Sequence, residues 1–170
     1  MMKDLLKIFG LILVLFMIWG TYTFFNFPNK ESIKKRNKDN YSENVTPDKS
    51  NIEQLIKLDE QNNKTILIGK AESAEMHKNW FPFSTHKFDK NETERILKTL
   101  NDSNNYIWGE IGTPYFDEII VFFDKEQNEI GYVDISLDGQ IDVFPNIALT
   151  KWGCLSDKGF RELVIAIRTE

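Results

Sequence analysis

From Ile8 to Phe25 the chain carries no charged side chain, and most of those positions are Leu, Ile, Val, Phe, Met or Trp. Eighteen residues at a rise of about 1.5 Å reach roughly 27 Å, close to the hydrocarbon thickness of a bilayer. No polar face interrupts the run, so it fits poorly as the core helix of a soluble fold. Residues 8–27 are therefore expected to form a single transmembrane anchor behind a short tail, residues 1–7. Leu5 and Leu6 can extend it while Lys7 snorkels to the interface. Trp19, Tyr22, Phe24, Phe25 and Phe27 crowd the far end, where amphipathic rings favour the headgroup layer. Pro28 then stops the helix.

A cleaved signal peptide also begins with lysines before an apolar run. Here Ile18-Trp19-Gly20-Thr21-Tyr22-Thr23-Phe24 offers no small-x-small cleavage site. A lipoprotein signal needs a cysteine just after the run, and the one cysteine is Cys154. An uncleaved anchor is the reading that remains. Lys30, Lys34, Lys35, Arg36 and Lys38 outnumber Lys3 and Lys7, which by charge alone draws the carboxyl side into the cytoplasm. Long domains translocate largely regardless of charge, so the domain is expected on the non-cytoplasmic side.

Charge is uneven beyond the anchor. Residues 51–170 carry 13 Lys or Arg against 21 Asp or Glu, a balance of -8. An acidic domain argues against a nucleic-acid partner. One cysteine and two histidines exclude a disulfide framework and a histidine-rich metal site. No cofactor is implied.

Residues 28–49 are polar and without period, and such a stretch reads as a flexible linker. Its basic cluster can rest on anionic headgroups, although a solvated tether accounts for it as well. Residues 50–170 are expected to form one small α+β domain of two layers, an antiparallel meander sheet with about three helices. Ser50-Asn51-Ile52-Glu53 has capping-box spacing ahead of Leu55 and Ile56. Thr65–Gly69 reads as a short strand; Ala71–Lys90 is ambiguous, with Ala71–Lys78 compatible with a helix and Phe81-Pro82-Phe83 not. A second capping box, Asn91-Glu92-Thr93-Glu94, opens a helix with face Thr93, Ile96, Leu97 and Leu100, ended by the polar run Asn101–Asn105. A last helix is expected after Ser156, with Phe160, Leu163, Val164 and Ile167 at helical spacing; Gly159 counts slightly against it, and the short run Leu163–Ile167 also reads as a strand.

Phe116–Asp124, Glu129–Ser136 and Gln140–Phe144 are rich in β-branched and aromatic residues, as strands are. With Gly139 left-handed in a three-residue loop, Ile135 faces Ile141, Val133 faces Val143 and Asp134 faces Asp142. With Asn128 left-handed in a like loop, Ile119 faces Ile135 and Val121 faces Val133. Ile119, Val121, Phe123, Val133, Ile135, Ile141 and Val143 then share the core face. Ile120, Phe122, Tyr132, Phe144, Asp134 and Asp142 share the other.

That second face carries the candidate partner-binding residues: Phe122, Tyr132, Asp134, Asp142 and Phe144. Aromatic side chains ringed by acids suit a protein-binding surface, unless the surrounding chain buries them. The leading expectation is a membrane-tethered, non-enzymatic module at the cell envelope, immunity- or inhibitor-like or an accessory subunit of an envelope complex. The alternative is an envelope enzyme using the Asp134/Asp142 pair, or using Cys154 ahead of a helix start, where a thiol pKa can fall. No third ligand or histidine is fixed near either by sequence. Trp108–Pro114 lacks the Gly-x-Gly-x-x-Gly form of a nucleotide loop. The sequon-like triplets Asn44-Val45-Thr46, Asn63-Lys64-Thr65, Asn91-Glu92-Thr93 and Asn101-Asp102-Ser103 are expected by chance in so asparagine-rich a chain.

Overall fold

The computed structural model describes residues 2–37, 67, 69–79, 83–107, 114–145 and 154–168. Helix α1, Met2–Asn26, contains the uncharged run. Its Leu5–Tyr22 stretch is long and apolar enough to cross a membrane and has no buried residue, and at its end the Tyr22 ring meets Phe83 of the sheet domain at 5.0 Å between centroids. A second helix, α2, follows at Lys30–Asn37. Asn29 starts it, its carbonyl and side-chain oxygens accepting from Ile33 and Ser32. Glu31 in the first turn and Lys34, Lys35 and Arg36 in the last complement the helix dipole. The first part of the segment expected as a flexible linker is thus a helix. Residues 38–49 lie outside the described residues, as does the capping box at Ser50–Glu53.

Five antiparallel strands follow: β1 Ser73–Lys78, β2 Ser84–Phe88, β3 Glu118–Phe123, β4 Glu129–Ile135 and β5 Ile141–Phe144, in the order β2-β1-β3-β4-β5. Helix α3, Lys90–Asn101, lies between β2 and β3, and α4, Asp157–Arg168, follows β5. The domain is α+β with an antiparallel sheet, as the strand patterning implies.

Tertiary pairing overrides local propensity at several positions. Ala71–Lys78 is rich in helix formers, yet β1 is paired on both sides, by β2 and β3. Of the expected strand Thr65–Gly69, Leu67 and Gly69 have φ of +50° and +72° and lie in a turn, while Thr65, Ile66 and Ile68 lie outside the described residues. The box that opens α3 is Asp89 with Glu92, not Asn91 with Glu94. Asp89 accepts from the Glu92 backbone at 2.9 Å and Glu92 accepts from the Asp89 backbone at 2.8 Å. The buried face Thr93, Ile96, Leu97 and Leu100 is as expected. Gly159, a poor helix former, is required in α4, because a Cβ there would collide with the Asn105 carbonyl.

Register decides which side chains share a face. Between β4 and β5 it follows the Gly139 turn (φ +85°), pairing Val133 with Val143 and Asp134 with Asp142. Between β3 and β4 it is offset from expectation. Gln127 rather than Asn128 is left-handed (φ +62°), and the Asp124 carboxylate takes the Asn128 backbone N–H at 2.8 Å. A bulge at Phe122/Phe123 then pairs Phe122 with Gly131 and Ile120 with Val133. A one-residue slip moves every side chain of β3 to the other face. Ile120 and Phe122 therefore join Val133, Ile135 and Ile141 under α3 and α4, and Ile119 and Val121 face away from those helices with Tyr132.

Candidate functional site

Four of the five expected site residues share a sheet face. Tyr132 and Asp134 on β4 stand opposite Phe144 and Asp142 on β5. The Tyr132 and Phe144 rings stack at 6.0 Å between centroids, and the Tyr132 hydroxyl donates to Asp142 Oδ2 at 3.4 Å. Phe122 is the correction: it lies fully buried in the core on the opposite face, for the register reason above.

This face is covered. Ile33 of α2 is buried against Ile119, Val121 and Tyr132, with Phe27, Phe123 and Phe144 around them. Asn37, one helical turn along the same face, donates from Nδ2 to the carbonyls of Ile33 and Glu129, at 2.8 and 2.9 Å. Tyr132 is 1% exposed and Asp134 0%, whereas Asp142 is exposed and Phe144 half-buried at the rim. The acidic, aromatic surface expected to face solvent is therefore the seat of a helix from the segment expected to be its leash.

Asp134 is the centre of the arrangement. Its Oδ2 accepts from Lys30 Nζ at 2.7 Å, and its Oδ1, also buried, has no hydrogen-bond partner among the described residues. Burial raises its pKa above the ordinary carboxylate value, Lys30 opposes the rise, and the Asp142 charge adds to it. Burial likewise pushes the Tyr132 hydroxyl up, reinforced by Asp142 and Asp134. Lys30 Nζ lies 5.8 Å from the ring centroids of both Phe116 and Tyr132, and Lys34 Nζ lies 5.8 Å from that of Tyr132. Arg36 forms an ion pair with Glu129. The Asp134/Asp142 pair is thus a buried, lysine-bound carboxylate beside an exposed one, rather than two carboxylates open to one substrate.

Cys154 is half-buried beside Gln140, and burial pushes its thiol up rather than activating it. His77 and His86 lie on β1 and β2, separated from β5 by β3 and β4. Among the described residues no group of three or more His, Cys, Asp or Glu side chains could hold a metal ion.

Sequence reasoning missed Lys30, Ile33 and Asn37. Their spacing puts them on one face of a helix, but one aliphatic residue in eight is too faint a stripe to single out. It also missed a groove of about 860 Å³ beside α4, lined by Met76, Ile135, Leu163 and Ile167 together with charged residues of both signs, among them Lys78, Arg161 and Glu118. Comparisons with protein-family models, curated proteins and solved structures find no match to this chain.

Proposed function

We propose that this chain is a membrane-tethered, non-enzymatic module that binds another protein at the cell envelope, in the manner of an immunity or inhibitor protein or an accessory subunit. One observation carries the reading. The face of Ile119, Val121 and Tyr132, bordered by Asp134, Asp142 and Glu129, is capped by an eight-residue helix from outside the domain rather than by the domain's own α3 and α4. An apolar floor with an acidic border is how protein-binding surfaces are composed. The acidic balance of residues 51–170 favours a basic partner and speeds its encounter. The anchor holds the domain at the membrane, on the non-cytoplasmic side.

Two measurements test this. Paired carboxyl-terminal topology reporters, one active inside the cytoplasm and one outside, are expected to light up outside. A photoreactive residue at position 142, on the accessible rim, is expected to give a discrete higher-mass adduct in cells. The same residue at position 98, on the exposed side of α3, is expected to give none. Absence of an adduct at 142, or the same adduct from both positions, contradicts the reading.

A further inference from the structure

Among the described residues, the cations set against β4 and β5 on the covered face come from α2, whereas Lys87 of β2 shares the face but is engaged by Glu75 of β1. Lys30 serves Asp134, Arg36 serves Glu129, and Lys34 lies over the Tyr132 ring. The charges that β4 and β5 bring to it, Glu129, Asp134 and Asp142, are all acidic. With α2 lifted away, the β3–β5 part of the face is a strip of aliphatic and aromatic side chains holding three carboxylates, Glu75 on β1 being taken by Lys87. A basic helical segment is the complement of that strip, and α2 is one.

We infer that α2 is a built-in stand-in for a basic segment of the partner protein, which binds by displacing α2 and presents an arginine to Asp134 three residues before an aliphatic side chain. The inference rests on the protein-binding reading and deepens it. Spacing comes from α2 itself, where Lys30 precedes the buried Ile33. Arginine comes from the unpartnered Oδ1 of Asp134. A lysine closes one carboxylate oxygen, whereas a guanidinium fork can serve both. A buried acceptor left open by the resident cation gives an arginine-bearing competitor its advantage.

Displacement is physically accessible. An eight-residue helix is marginal by itself, and α2 buries only Ile33 and Asn37. Such an element opens well before the strands beneath it. Its covalent link gives α2 an effective concentration on the order of mM, so a competing segment must beat that value, and weakening α2 must make binding easier.

The test uses the full chain in nanodiscs of neutral lipid and a fluorescent peptide matching residues 27–37 with the substitution Lys30→Arg. The chain carrying Lys30→Ala and Arg36→Ala is expected to bind this peptide at least ten-fold more tightly than the unmodified chain. Adding Asp134→Asn is expected to remove that binding, while thermal unfolding confirms that the domain stays folded. A full chain carrying Lys30→Arg, which keeps every contact of α2 and can add one, is expected to bind the peptide more weakly than the unmodified chain. Equal affinity for the unmodified and doubly substituted chains, or binding that survives Asp134→Asn, overturns the inference. An adduct from position 142 in cells together with either of those results leaves protein binding standing and removes only the displacement of α2.

Discussion

Lys30 lies four residues beyond the end of α1, and its Nζ sits 2.7 Å from Oδ2 of Asp134, 104 residues further along the chain. Four residues reach about 14 Å at most. The contact therefore holds the sheet close to the end of the helix that can span the membrane, rather than leaving the domain to swing from a long leash.

The two halves of this ion pair respond differently to substitution. Lys30→Ala leaves a buried carboxylate without its cation and is expected to cost about 2 kcal/mol. Asp134→Asn removes the buried charge itself and is expected to cost less than about 1 kcal/mol, Lys30 being able to turn to solvent. Thermal unfolding of the two variants checks the order. An equal or reversed cost contradicts the description of Asp134 as a charge that needs α2.

Stability should depend on pH through two buried groups with opposite sign. Asp134 has its folded pKa raised by burial, so its contribution is lost as pH rises from 3.8 through that raised value. Asp134→Asn should therefore gain on the unmodified chain as pH rises above 3.8. His77 has its folded pKa lowered, mainly by burial, so stability present above pH 6.5 is lost as pH falls below it. His77→Gln should flatten that acid limb in unfolding curves recorded against pH.

Gly159→Ala should destabilise the domain by about 2 kcal/mol, because the new Cβ meets the Asn105 carbonyl and the backbone must move. Gly20→Ala, with nothing within 4 Å, is the control and should leave the melting temperature unchanged.

Asp89→Ala should cost about 1 kcal/mol, the usual worth of a helix cap, and Asn91→Ala less than about 0.5 kcal/mol. Denaturant midpoints of the two variants distinguish the cap used from the one the sequence also offers.

Cys154 should react with iodoacetamide at least about ten-fold more slowly in the folded chain than in denaturant, since burial raises its thiol pKa. Timed alkylation read by mass spectrometry measures this. A faster reaction in the folded chain would revive its role as a nucleophile.

Much of this architecture is legible in the residues because one strong signal fixes each element. The uncharged run announces α1, the Gly139 turn fixes β4 against β5, and the stripe of Ile96, Leu97 and Leu100 makes α3. The rest turns on competition between near-equal local choices. Gln127 and Asn128 can each take the left-handed position, and the Asp124 carboxylate decides between them. Because β3 is apolar on both faces, alternation could not expose the one-residue slip that parts Phe122 from Tyr132. The cover over Tyr132 and Asp134 was illegible for another reason. An eight-residue helix bearing one buried isoleucine looks like a tether until its lysine is seen against a carboxylate more than a hundred residues away.

Hydrogen exchange of the full chain in nanodiscs tests the docking of α2 most directly. The α2 amides should be protected at least about ten-fold over a free peptide yet open well before those of β4. Lys30→Ala should abolish the α2 protection and leave β4 unchanged. Unprotected α2 amides in the unmodified chain, or protection that survives Lys30→Ala, would contradict the account.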